Sequence, residues 1–91
     1  MWMKARGIEP IVSTAMPLNG HNAAQKGYRV NFNARILSEL SKVCRVWDFG
    51  KVIEDSANPG SMLPAYDYDT IHQSPPGQQA LADYAALQLG I

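Results

Sequence analysis

Cys44-Arg45-Val46-Trp47-Asp48-Phe49 is the stretch on which the fold turns. Its nearly unbroken apolar and aromatic character is that of a strand covered on both faces, the habit of parallel sheets. Immediately before it, from Tyr28 to Val43, apolar residues recur at Val30, Phe32, Ile36, Leu37, Leu40 and Val43. Most of these lie three or four apart, with Arg29, Arg35, Glu39 and Lys42 on the other side, which predicts an amphipathic helix. Further back, Ile8 to Ala15 supplies a short β-rich run stopped by Met16-Pro17 and the turn Asn19-Gly20. Strand, helix and strand in that order predict a right-handed βαβ unit with parallel strands.

The flanks complete the pattern. Met1 to Arg6 reads as the end of a helix closed by Gly7, and Lys51 to Asp55 as a turn of helix. A polar loop from Ser56 to Ile71 follows. The last helix opens with Ser74 as its cap and Pro75 at its first position, then runs through Leu81, Tyr84 and Leu87 to Gly90. The class is therefore α/β. No internal repeat or low-complexity tract is present.

Composition narrows the function. A chain of 91 residues allows one small domain with a thin core. Eight basic and eight acidic residues cancel, without a run of either sign longer than two. That removes the charge footprint of a nucleic-acid binder or a polybasic membrane anchor and points to small neutral or weakly charged partners. No window approaches the ~20 apolar residues of a membrane span. The start, Met1-Trp2-Met3-Lys4, lacks the apolar core of a signal peptide, so localisation stays open. The single Cys44 has no internal partner, is compatible with a cytoplasmic setting, and reads as a small core residue.

The polar loop ends in Asp69-Thr70-Ile71-His72, just before the rigid helix entry Ser74-Pro75-Pro76. A carboxylate three residues before an imidazole can hold the ring in one tautomer, which is half of a catalytic triad. By spacing alone such a pair is most often an exposed loop pair of no consequence. Its surroundings give it weight: Val46-Trp47-Asp48-Phe49, Asp55-Ser56-Ala57-Asn58-Pro59, Met62-Leu63-Pro64-Ala65-Tyr66-Asp67, Asp69-Thr70-Ile71-His72 and Gly77 run as one pattern.

That pattern resembles the C-terminal segment of SGNH (GDSL-type) hydrolases, serine esterases and acetylhydrolases built on a flavodoxin-like three-layer α/β/α sandwich. The resemblance covers roughly the last half of such an enzyme, so residues 1–91 would be a single partial domain of that type. It implies that Asp69 and His72 are the acid and base of the triad. The family's Gly-Asp-Ser block, its oxyanion-hole glycine and its Gly-x-Asn-Asp block are absent from this chain. Gln73 stands where the family usually has proline, although Pro75, Pro76 and Gly77 keep the rigid turn. The implied reaction is hydrolysis of a small carboxylic ester, an acetyl or short acyl group on a sugar or alcohol, without a cofactor. The serine would lie outside this chain, which is expected to be inactive alone.

Other polar residues carry less. His21 and Asn22 follow the first strand and are candidates to line a substrate pocket, against the plainer reading of a solvated loop. Asp48, Asp67 and Asp69 with His72 match no common metal-ligand spacing, so no metal is expected. Trp47 and Phe49 read first as core residues and second as substrate contacts. No serine here has a Gly-x-Ser-x-Gly or Gly-Asp-Ser setting.

Two parallel strands cannot pair their own outer edges. A partner is therefore expected: the N-terminal half of the hydrolase, or a second copy of the chain forming a homo-oligomer or a domain swap. A catalytically inactive module that associates with itself or another chain is the rival reading, and an unrelated small α/β domain with an accidental loop pair is a third.

Overall fold

The computed structural model describes residues 2–91, and of Trp2 the backbone alone. Helix α1 (Trp2–Ala5) leads to strand β1 (Ile11–Ser13) and then the long helix α2 (Ala23–Glu39). A 3₁₀ turn, Leu40–Lys42, turns the chain into β2 (Arg45–Trp47). The short helix α3 (Phe49–Ile53), a 3₁₀ turn at Pro64–Tyr66 and helix α4 (Pro75–Leu89) follow. Met1, expected in the first helix, lies outside the described residues.

β1 and β2 pair in parallel, with Ile11 opposite Arg45, Val12 opposite Val46 and Ser13 opposite Trp47. Helix α2 makes the crossover between them, so the chain has the α/β class its sequence predicts. Both strands are shorter than the apolar runs that announce them. Pro10, which has no N–H to give a ladder, precedes β1. At the other end the chain leaves β2 at Asp48, whose carboxylate caps α3 by accepting the Lys51 N–H at 3.3 Å. Phe49, expected in the strand, is thus the first residue of a helix. Cys44 is buried as expected, but just ahead of β2, where its thiol donates to the Leu40 carbonyl at 3.5 Å.

Helix α2 starts five residues earlier than the apolar stripe indicates. Asn22 and Gln25 form a reciprocal capping box, at 2.9 and 3.0 Å, which begins the helix without any apolar residue. Helix α4 behaves as its sequence predicts. Ser74 caps it by accepting the Gly77 N–H at 3.3 Å, and Gly90 closes it at φ 75°, a conformation that costs glycine nothing.

The best-buried side chains lie at the carboxyl end of the strands. Ile53 is 0% exposed and Met62 2%, and Pro17 is as fully enclosed. Leu63 donates its N–H to the Ile53 carbonyl at 3.0 Å, which folds the loop after α3 back on itself. Gly50 sits so close to the first crossover that a Cβ there would lie 2.5 Å from the Ala15 carbonyl oxygen. Beside it, Thr14 Oγ1 donates to Asp48 Oδ1 at 2.8 Å and accepts the Gly50 N–H at 2.9 Å, tying the ends of both strands together. Rings of Trp47, Phe49 and Tyr84 meet edge to face at 5.7 and 5.5 Å, and Tyr84 accepts the Asp48 N–H at 3.0 Å.

The opposite flank is open. Because Thr14 N–H points to Trp47 across the pair, strand alternation turns the backbone groups of Ile11 and Ser13 away from β2. At Ala15 the Asn33 carboxamide takes over that outer edge, accepting the Ala15 N–H at 2.7 Å and donating to its carbonyl at 2.8 Å. Beside this edge Phe32 is exposed in a groove with Val12, Ser13 and Ala15, whereas the exposed Leu37 and Val43 lie around β2, and only Ile36 of α2 is buried.

Candidate acid-base site

The loop between the 3₁₀ turn and α4 is built by its own acidic side chains. Asp67 Oδ1 accepts the Thr70 N–H at 2.7 Å, a local side-chain-to-backbone bond that helps to reverse the chain. Tyr68 N–H then donates to the His72 carbonyl at 3.0 Å, and Asp67 and Gln73 form an antiparallel bridge that closes the loop. Thr70, at its tip, has φ 73°, a left-handed conformation that a β-branched residue rarely adopts. Ser74 ties the exit down, donating its hydroxyl to the Ala65 carbonyl at 2.6 Å and its N–H to that of Tyr66 at 2.8 Å.

Within this loop Asp69 and His72 meet as the sequence suggests. Asp69 Oδ2 lies 2.7 Å from His72 Nδ1, and Oδ1 accepts the backbone N–H groups of His72 at 2.6 Å and Ile71 at 3.0 Å. The His72 N–H first, and then the His72 ring, favour the ionised carboxyl and hold its pKa down to about 2. An ionised carboxylate cannot donate, so Nδ1 must carry the proton. In the neutral ring Nε2 then keeps a free lone pair, the state of a general base. The His72 side chain is 73% exposed, so Nε2 opens to solvent.

The loop after β1 is the neighbour of this pair. Gly20 donates its N–H to the Thr70 carbonyl at 2.9 Å, and Asn19 Nδ2 donates to Asp67 Oδ2 at 2.8 Å. His21 is next in the chain and lines a cleft of about 480 Å³ with Ala15, Gln25, Tyr28, Arg29 and Phe32. Among the described residues, its buried Nδ1 has no hydrogen-bond partner, and neither has Arg29 Nε. Asn22 is occupied at the helix cap, its Oδ1 taken by the Gln25 N–H. The structure thus brings Asp69 and His72 together, puts His21 in a separate cleft against α2, and commits the Asn22 oxygen to helix initiation.

Asp48, grouped with the loop acids in the sequence, serves the strand ends instead. Among the described residues no three His, Cys, Asp or Glu side chains converge as they would to hold a metal. Nor is any described helix long and apolar enough to cross a membrane. Asn19 is the residue that sequence reasoning passed over: it reads as half of an Asn-Gly turn, while its side chain in fact spans the two loops. Compared with family models, curated proteins and solved structures, the chain matches none.

Proposed function

We propose that this chain is the acid-base part of a serine ester hydrolase, resembling the C-terminal segment of the SGNH type, with its nucleophile on another polypeptide segment. The 2.7 Å contact of Asp69 Oδ2 with His72 Nδ1, with Nε2 left free, carries the reading. Nε2 would accept the proton of an incoming serine hydroxyl as its oxygen attacks the ester carbonyl. Asp69 would stabilise the imidazolium, which then returns the proton to the leaving alcohol. The substrate class is an acetyl or short acyl ester of a sugar or alcohol. The parallel pair and its crossing helix would be one end of a flavodoxin-like α/β/α sandwich, completed along the open flank by the half that brings the serine.

Alone, the chain should hydrolyse a nitrophenyl acetate no faster than buffer does, since it offers no nucleophile or oxyanion hole. Expressed together with a segment from the upstream reading frame that carries a Gly-Asp-Ser block, it should turn the ester over. His72→Ala should then lower kcat by several orders of magnitude, and Asp69→Asn by less. Activity indifferent to both substitutions would overturn the assignment. The exposed Ile11, Phe32, Leu37 and Val43 favour a second reading, a catalytically silent module that associates with itself or a partner. A dimer mass by sedimentation, with no turnover in the presence of the serine-bearing segment, would select it.

A further inference from the structure

We propose that Asn19 and Asp67 are the positioning residues of the Asp69–His72 pair, setting where His72 presents Nε2; this rests on the reading of that pair as an acid and base. Neither touches the imidazole. They act through Thr70, whose peptide fixes the direction in which the Ile71 and His72 N–H groups return to Asp69 Oδ1.

A threonine at φ 73° does not stay there unaided, so the structure around it must hold it. Two groups do so from opposite sides. Asp67 Oδ1 takes the Thr70 N–H at 2.7 Å, and Gly20 N–H takes the Thr70 carbonyl at 2.9 Å. The second Asp67 oxygen receives Asn19 Nδ2 at 2.8 Å. Asn19 is itself anchored at the buried Met62, accepting its N–H at 2.7 Å and reaching its carbonyl at 3.4 Å. A continuous chain of hydrogen bonds therefore runs from the interior through Asn19 and Asp67 to the residue between Asp69 and His72. The dyad itself is solvent-exposed and has no packing of its own to fix its direction.

The pairing gives a clean test. In Asp67→Asn an amide nitrogen faces the Asn19 nitrogen, donor against donor, while the remaining oxygen can still accept the Thr70 N–H. In Asn19→Asp two carboxylates face each other. The reciprocal double change, Asn19→Asp with Asp67→Asn, restores one donor and one acceptor across the gap. The readout is the tautomer of the neutral His72 ring, from long-range ¹H–¹⁵N spectra at about pH 8, with the hydrogen-bonded Nδ1 proton as a second marker.

In the unaltered chain the Nδ1–H form should dominate. Asp67→Asn should move the ring towards the Nε2–H form and weaken the Nδ1 proton signal, and the double change should bring both back. An unchanged tautomer in a folded Asp67→Asn variant, or a double change no better than the single ones, would overturn the proposal. Should Asp67→Asn fail to fold, Asn19→Asp serves: it can still accept the Met62 N–H but turns an oxygen on Asp67 Oδ2, with the same tautomer shift expected and constancy again decisive against it. These spectra need no nucleophile. Failure of the positioning pair leaves the hydrolase reading intact, and failure of the ester assay leaves the pair intact.

Discussion

The carboxyl end of the two strands and the α2 flank of the same sheet are built on opposite principles. At the carboxyl end, short side chains of Thr14, Asn19, Asp48 and Asp67 tie loop to loop over Ile53 and Met62. On the flank, Phe32 faces outwards beside the outer edge of β1, and Ile11, Leu37 and Val43 are exposed as well. One region is closed by its own hydrogen bonds and the other leaves apolar side chains uncovered. A small chain can therefore shape a polar site well before it encloses a core, because hydrogen bonds between neighbouring loops need less surface than apolar burial does.

The sharpest way to break this contrast is Ile53→Ala. Removing a side chain with no exposure should cost about 2–5 kcal/mol in urea denaturation, a large part of what a chain this short holds. A loss below about 1 kcal/mol would mean that the carboxyl-end layer is looser than its burial indicates. Next comes Gly50→Ala. Its Cβ would strike the Ala15 carbonyl oxygen at 2.5 Å, so the strand ends must shift, at about 1–3 kcal/mol. Ser74→Ala removes a helix cap and a bond to the Ala65 carbonyl and should cost about 1 kcal/mol. On the flank, Phe32→Ala removes a side chain that is 57% exposed and should change the stability of a monomer by no more than about 0.5 kcal/mol. A larger effect that grows with protein concentration would show the flank covered by a second copy.

The smallest global effect is expected from acid. With its pKa depressed from 3.8 to about 2, Asp69 contributes to loop stability above pH 4, and that contribution fades as pH falls through about 2. The Ile71 and His72 amide resonances should follow this transition while those of Ile53 and Met62 stay in place. Simultaneous movement of all four would join the site loop to the core as one cooperative unit.

Much of this contrast was legible from residue order. Tyr28 to Val43 announced the crossing helix by periodicity, and Ser74-Pro75-Pro76 announced the last helix by its cap. Asp69 and His72 were legible because a three-residue offset closes through local chain geometry. Boundaries were not. The start of α2 depends on side-chain capping by Asn22 and Gln25, and the end of β2 on Asp48 bonding to Thr14, and neither leaves an apolar signature. Asn19 stayed hidden for a related reason: its partners Met62 and Asp67 are more than forty residues away, and an Asn-Gly pair already has a sufficient local explanation as a turn.

Asn33 has a consequence for how this protein can grow. Its carboxamide imitates the peptide of a neighbouring strand at Ala15, filling one donor and one acceptor with a group that carries no chain onward. A strand arriving at the β1 edge is therefore stopped at that point and left with the short ladder of Ile11 and Ser13 for its registration. An edge so brief templates one correctly placed segment far better than it templates an open-ended stack, which gives a chain with so much uncovered apolar surface a built-in brake on fibre formation.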